Sequence, residues 1–138
     1  MALRGIVGLL AILLLASCGR MPETVAATSN ATVVATDADN GKTVSLHVGD
    51  HLDVKLASTY WTIGDSSDPN VLKTAGPPVV SPQTSGCVPG GGCGFAIASF
   101  IAVATGSADV TASRTSCGEA MRCTGDSGSF RLTVVVSS

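Results

Sequence analysis

The sequence has few aromatic and few charged side chains. Of its 138 residues, 4% are aromatic, 13% are charged, and two are histidines. Eight Lys and Arg stand against ten Asp and Glu, which gives a net charge of −2. Proteins that bind nucleic acid usually carry a basic patch, so we expect no nucleic-acid partner.

The shortage of histidine also argues against catalysis. Residues 123–130, CTGDSGSF, resemble the nucleophile loop of trypsin-like serine proteases. That mechanism needs a histidine base beside the serine and an aspartate to orient the base. His47 alternates with apolar residues and is predicted to face water on a strand, and His51 follows a Gly-Asp turn. We therefore predict that Ser127 lies in a turn before the last strand and that the protein is not an enzyme.

The N-terminus predicts export and a lipid anchor. Residues 1–17 contain one basic residue followed by an apolar run over residues 6–16, which is typical of a cleaved signal peptide. The run ends in Leu15-Ala16-Ser17-Cys18, which resembles a bacterial lipobox. The resemblance implies cleavage before Cys18 and a lipid on its sulfur. Residues 18–30 would then be the lipidated cysteine and a flexible tether, with the protein held on the bacterial membrane or envelope, outside the cytoplasm.

The cysteines beyond Cys18 predict disulfides rather than a metal site. Cys87, Cys93, Cys117 and Cys123 form two C-x5-C segments, and neither histidine is near them, so we expect no metal and no cofactor. An even number of cysteines in an exported chain indicates disulfides. Glycine and proline between the cysteines favour local pairing within each segment. Nested pairing of Cys93 with Cys117 and Cys87 with Cys123 stays open, and either arrangement puts both cysteine loops at one end of the domain.

Residues 31–138 predict an all-β domain. Apolar and polar residues alternate around Val44–His47, Leu52–Leu56, Ala108–Ala112 and Phe130–Val136, and no helical period is visible after the signal peptide. Short strands, frequent turns and a single Trp indicate an antiparallel, immunoglobulin-like β-sandwich.

Local signals add detail to this sandwich. Asn40-Gly41 predicts a hairpin between the first two strands. Residues 95–103, FAIASFIAV, are apolar at both alternating sets of positions, which predicts a central strand covered on both faces. Pro-rich and Gly-rich segments around Val71-Leu72 and Val79-Val80 leave room only for short edge strands.

From about residue 42 to residue 136 the chain resembles the chagasin-like cysteine-peptidase inhibitors. The segments VSLHVGDHLDVKLAS, GGGCGFAIASFIAVATGSADVTAS and SFRLTVVV carry the resemblance, and Trp61 falls where the family has a core aromatic residue. The resemblance implies an immunoglobulin-like sandwich in which three loops at one end enter the cleft of a papain-like cysteine peptidase.

The three loop motifs of that family are altered in this chain. The first loop, Asn-Pro-Thr-Thr-Gly in the family, is shortened to Ala-Ser-Thr-Tyr, and the Arg-Pro of the third is Arg114-Thr115. Only the Thr of the first loop, the Gly-Gly of the second, kept in Gly90-Gly91-Gly92, and the Arg of the third carry across. With neighbouring loop residues added, the candidate contacts are Ser58, Thr59, Tyr60, Gly90, Gly91, Gly92, Arg114, Met121 and Arg122, and the alternative for Tyr60 is packing beside Trp61 in the core. Their partner would be a papain-like cysteine peptidase or an envelope protein. The alternative is a purely structural envelope lipoprotein.

Overall fold

The computed structural model describes residues 30–138. The predicted signal peptide, Cys18 and the tether up to residue 29 lie outside the described residues. Within them are nine strands: β1 (Thr32–Ala35), β2 (Thr43–His47), β3 (His51–Ala57), β4 (Thr62–Ile63), β5 (Leu72–Thr74), β6 (Val79–Pro82), β7 (Gly94–Ala102), β8 (Gly106–Ser113) and β9 (Ser129–Ser137). Two single-turn 3-10 helices, Asp37–Asp39 and Gly125–Gly128, precede β2 and β9.

The strands form two sheets, which confirms the predicted all-β sandwich. One sheet has the order β1-β3-β7, with β5 and β6 both paired to the other side of β7, and the second has the order β2-β9-β8-β4. Most pairs are antiparallel, but β1 pairs with β3 and β2 with β9 in parallel. The purely antiparallel arrangement is therefore wrong at two sheet edges.

The alternating residues build the core as predicted. In β3, Leu52, Val54 and Leu56 are buried, and β9 alternates in the same way. Phe100 of β7 is the largest fully buried side chain between the sheets. Burying an aliphatic or aromatic side chain contributes about 1.5–3 kcal/mol, so these inward rows supply most of the driving force for folding.

The predicted hairpin at Asn40-Gly41 is wrong. The strands on either side belong to different sheets, because β1 pairs with β3 and β2 with β9. Asn40 has φ −56° and Gly41 has φ +76°, whereas the expected hairpin turn needs positive φ at both positions. The Asn40 side chain instead bonds β9, donating to the Ser129 carbonyl (3.0 Å) and accepting from the Arg131 N–H (2.9 Å). The turn therefore carries the chain from one sheet to the other.

Strand β7 is central, as predicted, but its second face is not fully covered. It lies between β3 on one side and β5 and β6 on the other, so the two predicted edge strands are confirmed. On its outer face Phe95, Ile97 and Ile101 are half-buried, and within residues 30–138 no further layer packs on them. The Lys55 ammonium lies 4.0 Å from the centre of the Phe95 ring and shields it partly.

The strand directions give the sandwich two distinct ends. The connections from β3 to β4, β6 to β7 and β8 to β9 emerge together at what we call the loop end. The opposite end, called the base, holds the β2–β3 turn, the first described residue, Asn30, and the end of β9, where the Val48 N–H donates to the Ser137 carbonyl (2.9 Å). Both ends of the described chain therefore lie at the base.

A carboxylate holds the base together. Asp50 is buried and accepts the backbone N–H of His47 (2.8 Å) and of Ala31 (2.9 Å), so it ties β1 to the β2–β3 turn. These two hydrogen bonds, that from His47 first, lower the pKa of Asp50 below its ordinary value of 3.8. These bonds stabilise the ionised carboxylate, and they form only in the folded turn.

We expect acid to weaken the fold through Asp50. The pKa of this carboxyl is lower in the folded state than in the unfolded state. Its contribution to stability is therefore complete above the unfolded pKa, about 4, and is lost as the pH falls through the folded pKa. Urea unfolding midpoints measured between pH 7 and pH 2.5 should fall more steeply below pH 4 for the unchanged protein than for Asp50→Asn. Parallel curves for the two proteins would contradict this role of Asp50.

Candidate functional site

All the predicted contact residues lie on three connections at the loop end, which the β1–β2 connection also reaches, since Asp37 accepts the Ala57 N–H (2.8 Å). Ser58, Thr59 and Tyr60 follow β3, Gly90, Gly91 and Gly92 precede β7, and Arg114, Met121 and Arg122 lie between β8 and β9. The two cysteine loops touch, since the Glu119 N–H donates to the Gly90 carbonyl (2.8 Å). The prediction that both cysteine loops lie at one end is confirmed.

The disulfides have the local pairing that the sequence favours. Cys87 is bonded to Cys93 and Cys117 to Cys123, with Cα–Cα distances of 5.9 and 5.0 Å. The nested alternative needed a hairpin between β7 and β8, but these strands lie in different sheets. Each bond closes a short loop on itself, so both loops have little conformational freedom.

The first loop, residues 57–60, packs against the second loop, which is the cysteine loop of residues 87–93. The Ser58 N–H donates to the Gly94 carbonyl (2.9 Å) and the Thr59 N–H to the Gly92 carbonyl (2.8 Å). The Tyr60 hydroxyl donates to the Gly90 carbonyl (2.9 Å), and its ring lies directly against Gly92. Tyr60 therefore packs on the cysteine loop, and the backbone groups of this short loop are engaged within the protein.

Gly92 is required by this contact, which predicts a sharp effect of substitution. Its φ is +64°, and a Cβ at this position would collide with the Tyr60 ring. We expect Gly92→Ala to lower the free energy of unfolding by at least about 1 kcal/mol, measured by urea denaturation. Gly76→Ala is the matched control, because a Cβ there meets nothing within 4 Å and φ is not positive. Equal urea midpoints for Gly92→Ala and Gly76→Ala would show that the Tyr60 ring is not tightly packed against Gly92.

Arg114 lies at the start of the third loop, which connects β8 to β9, and we call its contacts with Trp61, Ala57 and Ser127 the Arg114 clamp. Its guanidinium carbon lies 4.4 Å from the centre of the Trp61 ring, a cation–π contact. Its Nε donates to the Ser127 carbonyl (2.9 Å) and its Nη1 to the Ala57 carbonyl (3.4 Å). Trp61 itself is buried and donates from Nε1 to the same Ala57 carbonyl (3.2 Å). Arg114 thus joins the end of β3 to the turn before β9.

The most exposed apolar side chains of the loop end lie on the two cysteine loops. Met121 is 62% exposed and Val88 is 52% exposed. Arg122 is also exposed and, with Met121, borders a shallow depression of about 370 Å³ lined by Thr115, Ser116, Ala120, Met121 and Arg122. Val88, Glu119 and Ala120 were not among the predicted contacts. The charge of Glu119 is consistent with its exposure, whereas the apolar Val88 and Ala120 give no such signal.

Ser127 lies in a turn, as predicted. Its hydroxyl donates to the Thr124 carbonyl (2.6 Å) and accepts the Thr124 N–H (3.0 Å), so its partners belong to the 3-10 turn that leads into β9. His47 and His51 are at the base, the end of the sandwich opposite Ser127. The histidine and the serine that a triad requires are therefore at opposite ends of the molecule.

Metal-binding clusters and membrane-spanning helices are absent from residues 30–138. In that part of the chain no group of three His, Cys, Asp or Glu residues is placed to hold a metal ion. Over the same range, no helix has the length and apolar character needed to cross a membrane.

The solved structures that are similar to this fold include the following two. One is the crystal structure of the cysteine protease inhibitor EhICP2 from Entamoeba histolytica, with a TM-score of 0.55 and 9% identity over 79% of this chain and 98% of that one. The other is the solution structure of amebosin, with a TM-score of 0.52 and 15% identity over 78% of this chain and 98% of that one. No protein-family model matches the sequence, and no curated protein matches it. The similarity to a cysteine protease inhibitor therefore holds for the fold.

Proposed function

We propose that this protein is an exported, lipid-anchored inhibitor of papain-like cysteine peptidases, and that its loop end enters the active-site cleft. The observation that carries the proposal is the convergence of three connections at one end of a sandwich whose fold is shared with a cysteine protease inhibitor. The two cysteine loops touch through the hydrogen bond from Glu119 to Gly90 and carry the exposed residues Val88 and Met121.

The rigidity of the loop end supports a binding role. Two disulfides, the Tyr60 contact with Gly92 and the Arg114 clamp hold the loops in one arrangement before any partner arrives. Loops that are already ordered lose less conformational entropy on binding, so more of the contact energy appears as affinity.

The position of the N-terminus supports the proposed anchor. The described chain begins at the base, so a tether from Cys18 would reach the domain at the end opposite the loops. Roughly a dozen extended residues span at most about 40 Å. In this arrangement the loop end faces away from the membrane and is open to a soluble peptidase.

Substitution of Cys18 tests the anchor separately. Without its sulfur the chain has no site for the lipid, so Cys18→Ser expressed in a bacterial host should move from the membrane fraction to the soluble exported fraction. Both proteins are followed by fractionation and by mass spectrometry of the N-terminal peptide. An unmodified N-terminal peptide from the unchanged protein would contradict lipidation.

The inhibitory function is tested by titration. The chain from residue 19 onward, which contains every described strand, is prepared with both disulfides oxidised and added to papain of known active-site concentration. We expect residual activity to fall in proportion to the added protein and to reach a plateau near one equivalent. Full activity at micromolar protein would contradict the proposal and leave only the shared fold.

A further inference from the structure

We infer that the apex of the third loop, residues 119–122, makes the principal contact with the partner, and that the first loop supports it without touching the partner. This inference rests on the proposed function and assigns the contact within it. The resemblance of the sequence to chagasin-like inhibitors implies contacts from all three loops, so the inference changes the role of Ser58, Thr59 and Tyr60.

The first loop is short and its interactions point inward. The Ser58 N–H bonds Gly94 at the start of β7, and the Thr59 N–H bonds Gly92 inside the Cys87–Cys93 loop. The Tyr60 N–H donates to the Ser58 hydroxyl (3.2 Å). The Tyr60 hydroxyl and one side of its ring contact Gly90 and Gly92, so Tyr60 is 36% exposed, against 62% for Met121. A partner approaching the loop end therefore has more apolar surface available on the third loop than on the first.

The apex of the third loop is a tight and unusual turn. Glu119 and Ala120 have φ of +43° and +62°, and the Met121 N–H donates to the Gly118 carbonyl (2.8 Å). A two-residue turn with positive φ at both positions normally contains Asn-Gly, because other residues adopt this conformation at a cost. Ser58 of the first loop also has a positive φ, +116°, so the feature that distinguishes this apex is its exposure, with Met121 62% exposed.

The turn is held in place by its surroundings. The disulfide between Cys117 and Cys123 closes the loop, Ser116 and Arg122 form a β-bridge, and the Glu119 N–H donates to Gly90. Met121 and Arg122 are therefore presented from a fixed backbone, at the outer surface of the loop end. This is the arrangement in which an exposed side chain contributes most to affinity, since its backbone is already ordered.

The chemistry of the apex defines the partner surface that it fits. Met121 offers an unbranched apolar side chain that adapts to an apolar recess, and Arg122 beside it offers a guanidinium suited to a carboxylate. The depression next to them, about 370 Å³, has room for a partner side chain. We therefore expect a partner surface with an apolar recess and a carboxylate at its rim, as on the wall of a peptidase cleft.

Papain titrations of matched variants test the inference. Met121→Ala should raise the inhibition constant at least tenfold, and Met121→Leu, which keeps an apolar side chain of similar size, should recover most of the affinity. Val135→Ala is the control, because Val135 is an apolar residue of β9, 41% exposed, outside the loop end. It should change the inhibition constant less than twofold. Thermal unfolding of each variant confirms that the fold is retained.

The outcomes separate this inference from the function on which it rests. Absence of inhibition by the unchanged protein overturns the proposed function and the inference with it. Inhibition by the unchanged protein and equally by Met121→Ala overturns the inference alone. Loss of inhibition in Val135→Ala with an intact fold also overturns it, because the contact would then extend over the sheet face.

Discussion

Replacing Trp61 by Ala is expected to lower the free energy of unfolding by about 3–5 kcal/mol, the range typical of a buried tryptophan. Trp61 is 6% exposed and belongs to the single cluster of buried residues between the sheets. Truncation leaves a cavity and removes the hydrogen bond from Nε1 to the Ala57 carbonyl. It also removes the aromatic face on which the Arg114 guanidinium rests. The substitution therefore weakens the core and the clamp of the loop end together.

Urea denaturation followed by circular dichroism measures this effect. Trp61→Phe is the matched variant, because it keeps an aromatic face for Arg114 and fills most of the volume, so its loss should be clearly smaller. Trp61→Ala should also weaken the inhibition of papain more than Trp61→Phe does. If both variants unfold within 1 kcal/mol of the unchanged protein, Trp61 does not hold the loop end to the core.

Removal of both disulfides is the second large effect. Each bond closes a seven-residue loop, with a sequence separation of six between its cysteines. The loop-entropy relation gives about 2.4 kcal/mol for a loop of this length, so the variant with all four cysteines replaced by alanine should lose about 5 kcal/mol. Inhibition should weaken as well, because the freed loops must be ordered again on binding.

The two cysteine pairs make a comparison within the same protein. The variant without Cys117 and Cys123 loosens the apex that carries Met121, whereas the variant without Cys87 and Cys93 loosens the neighbouring loop. We expect similar losses in unfolding free energy and a larger loss of inhibition for the first pair. Unchanged inhibition in both variants would contradict the view that preformed loops provide the affinity.

The sequence predicts the strands of this fold better than it predicts their partners. Alternation over Leu52–Leu56 and Phe130–Val136 identified the inward rows of β3 and β9, because burial on one face imposes a period of two. The hairpin at Asn40-Gly41 was wrong because a turn signal is local. It does not specify which sheet the next strand joins, and the Asn40 side chain bonds β9, far along the chain.

The sequence predicts where the candidate site lies, but it does not predict what each residue of the site does. The prediction of both cysteine loops at one end rests on an expected hairpin of residues 95–103 and 107–114 about Thr105-Gly106. The location is confirmed, but β7 and β8 lie in different sheets and do not form a hairpin. The inward roles of Tyr60 and Arg114 depend on contacts with Gly92 and Trp61 that only the packed sheets create. The positive φ of Glu119 has no signal in its residue type, since glutamate rarely adopts it.

The most direct test of the central claim is to map the surface that a peptidase covers. Amide resonances of the ¹⁵N-labelled protein are recorded before and after addition of papain whose active-site cysteine is blocked by methylthiolation, a group small enough to leave the cleft open. We predict changes confined to the loop end, largest around residues 115–123 and smaller around residues 87–93, and unchanged resonances at the base around His47 and Asp50. Changes at the base or across a sheet face, or no changes at all, would contradict binding through the loop end.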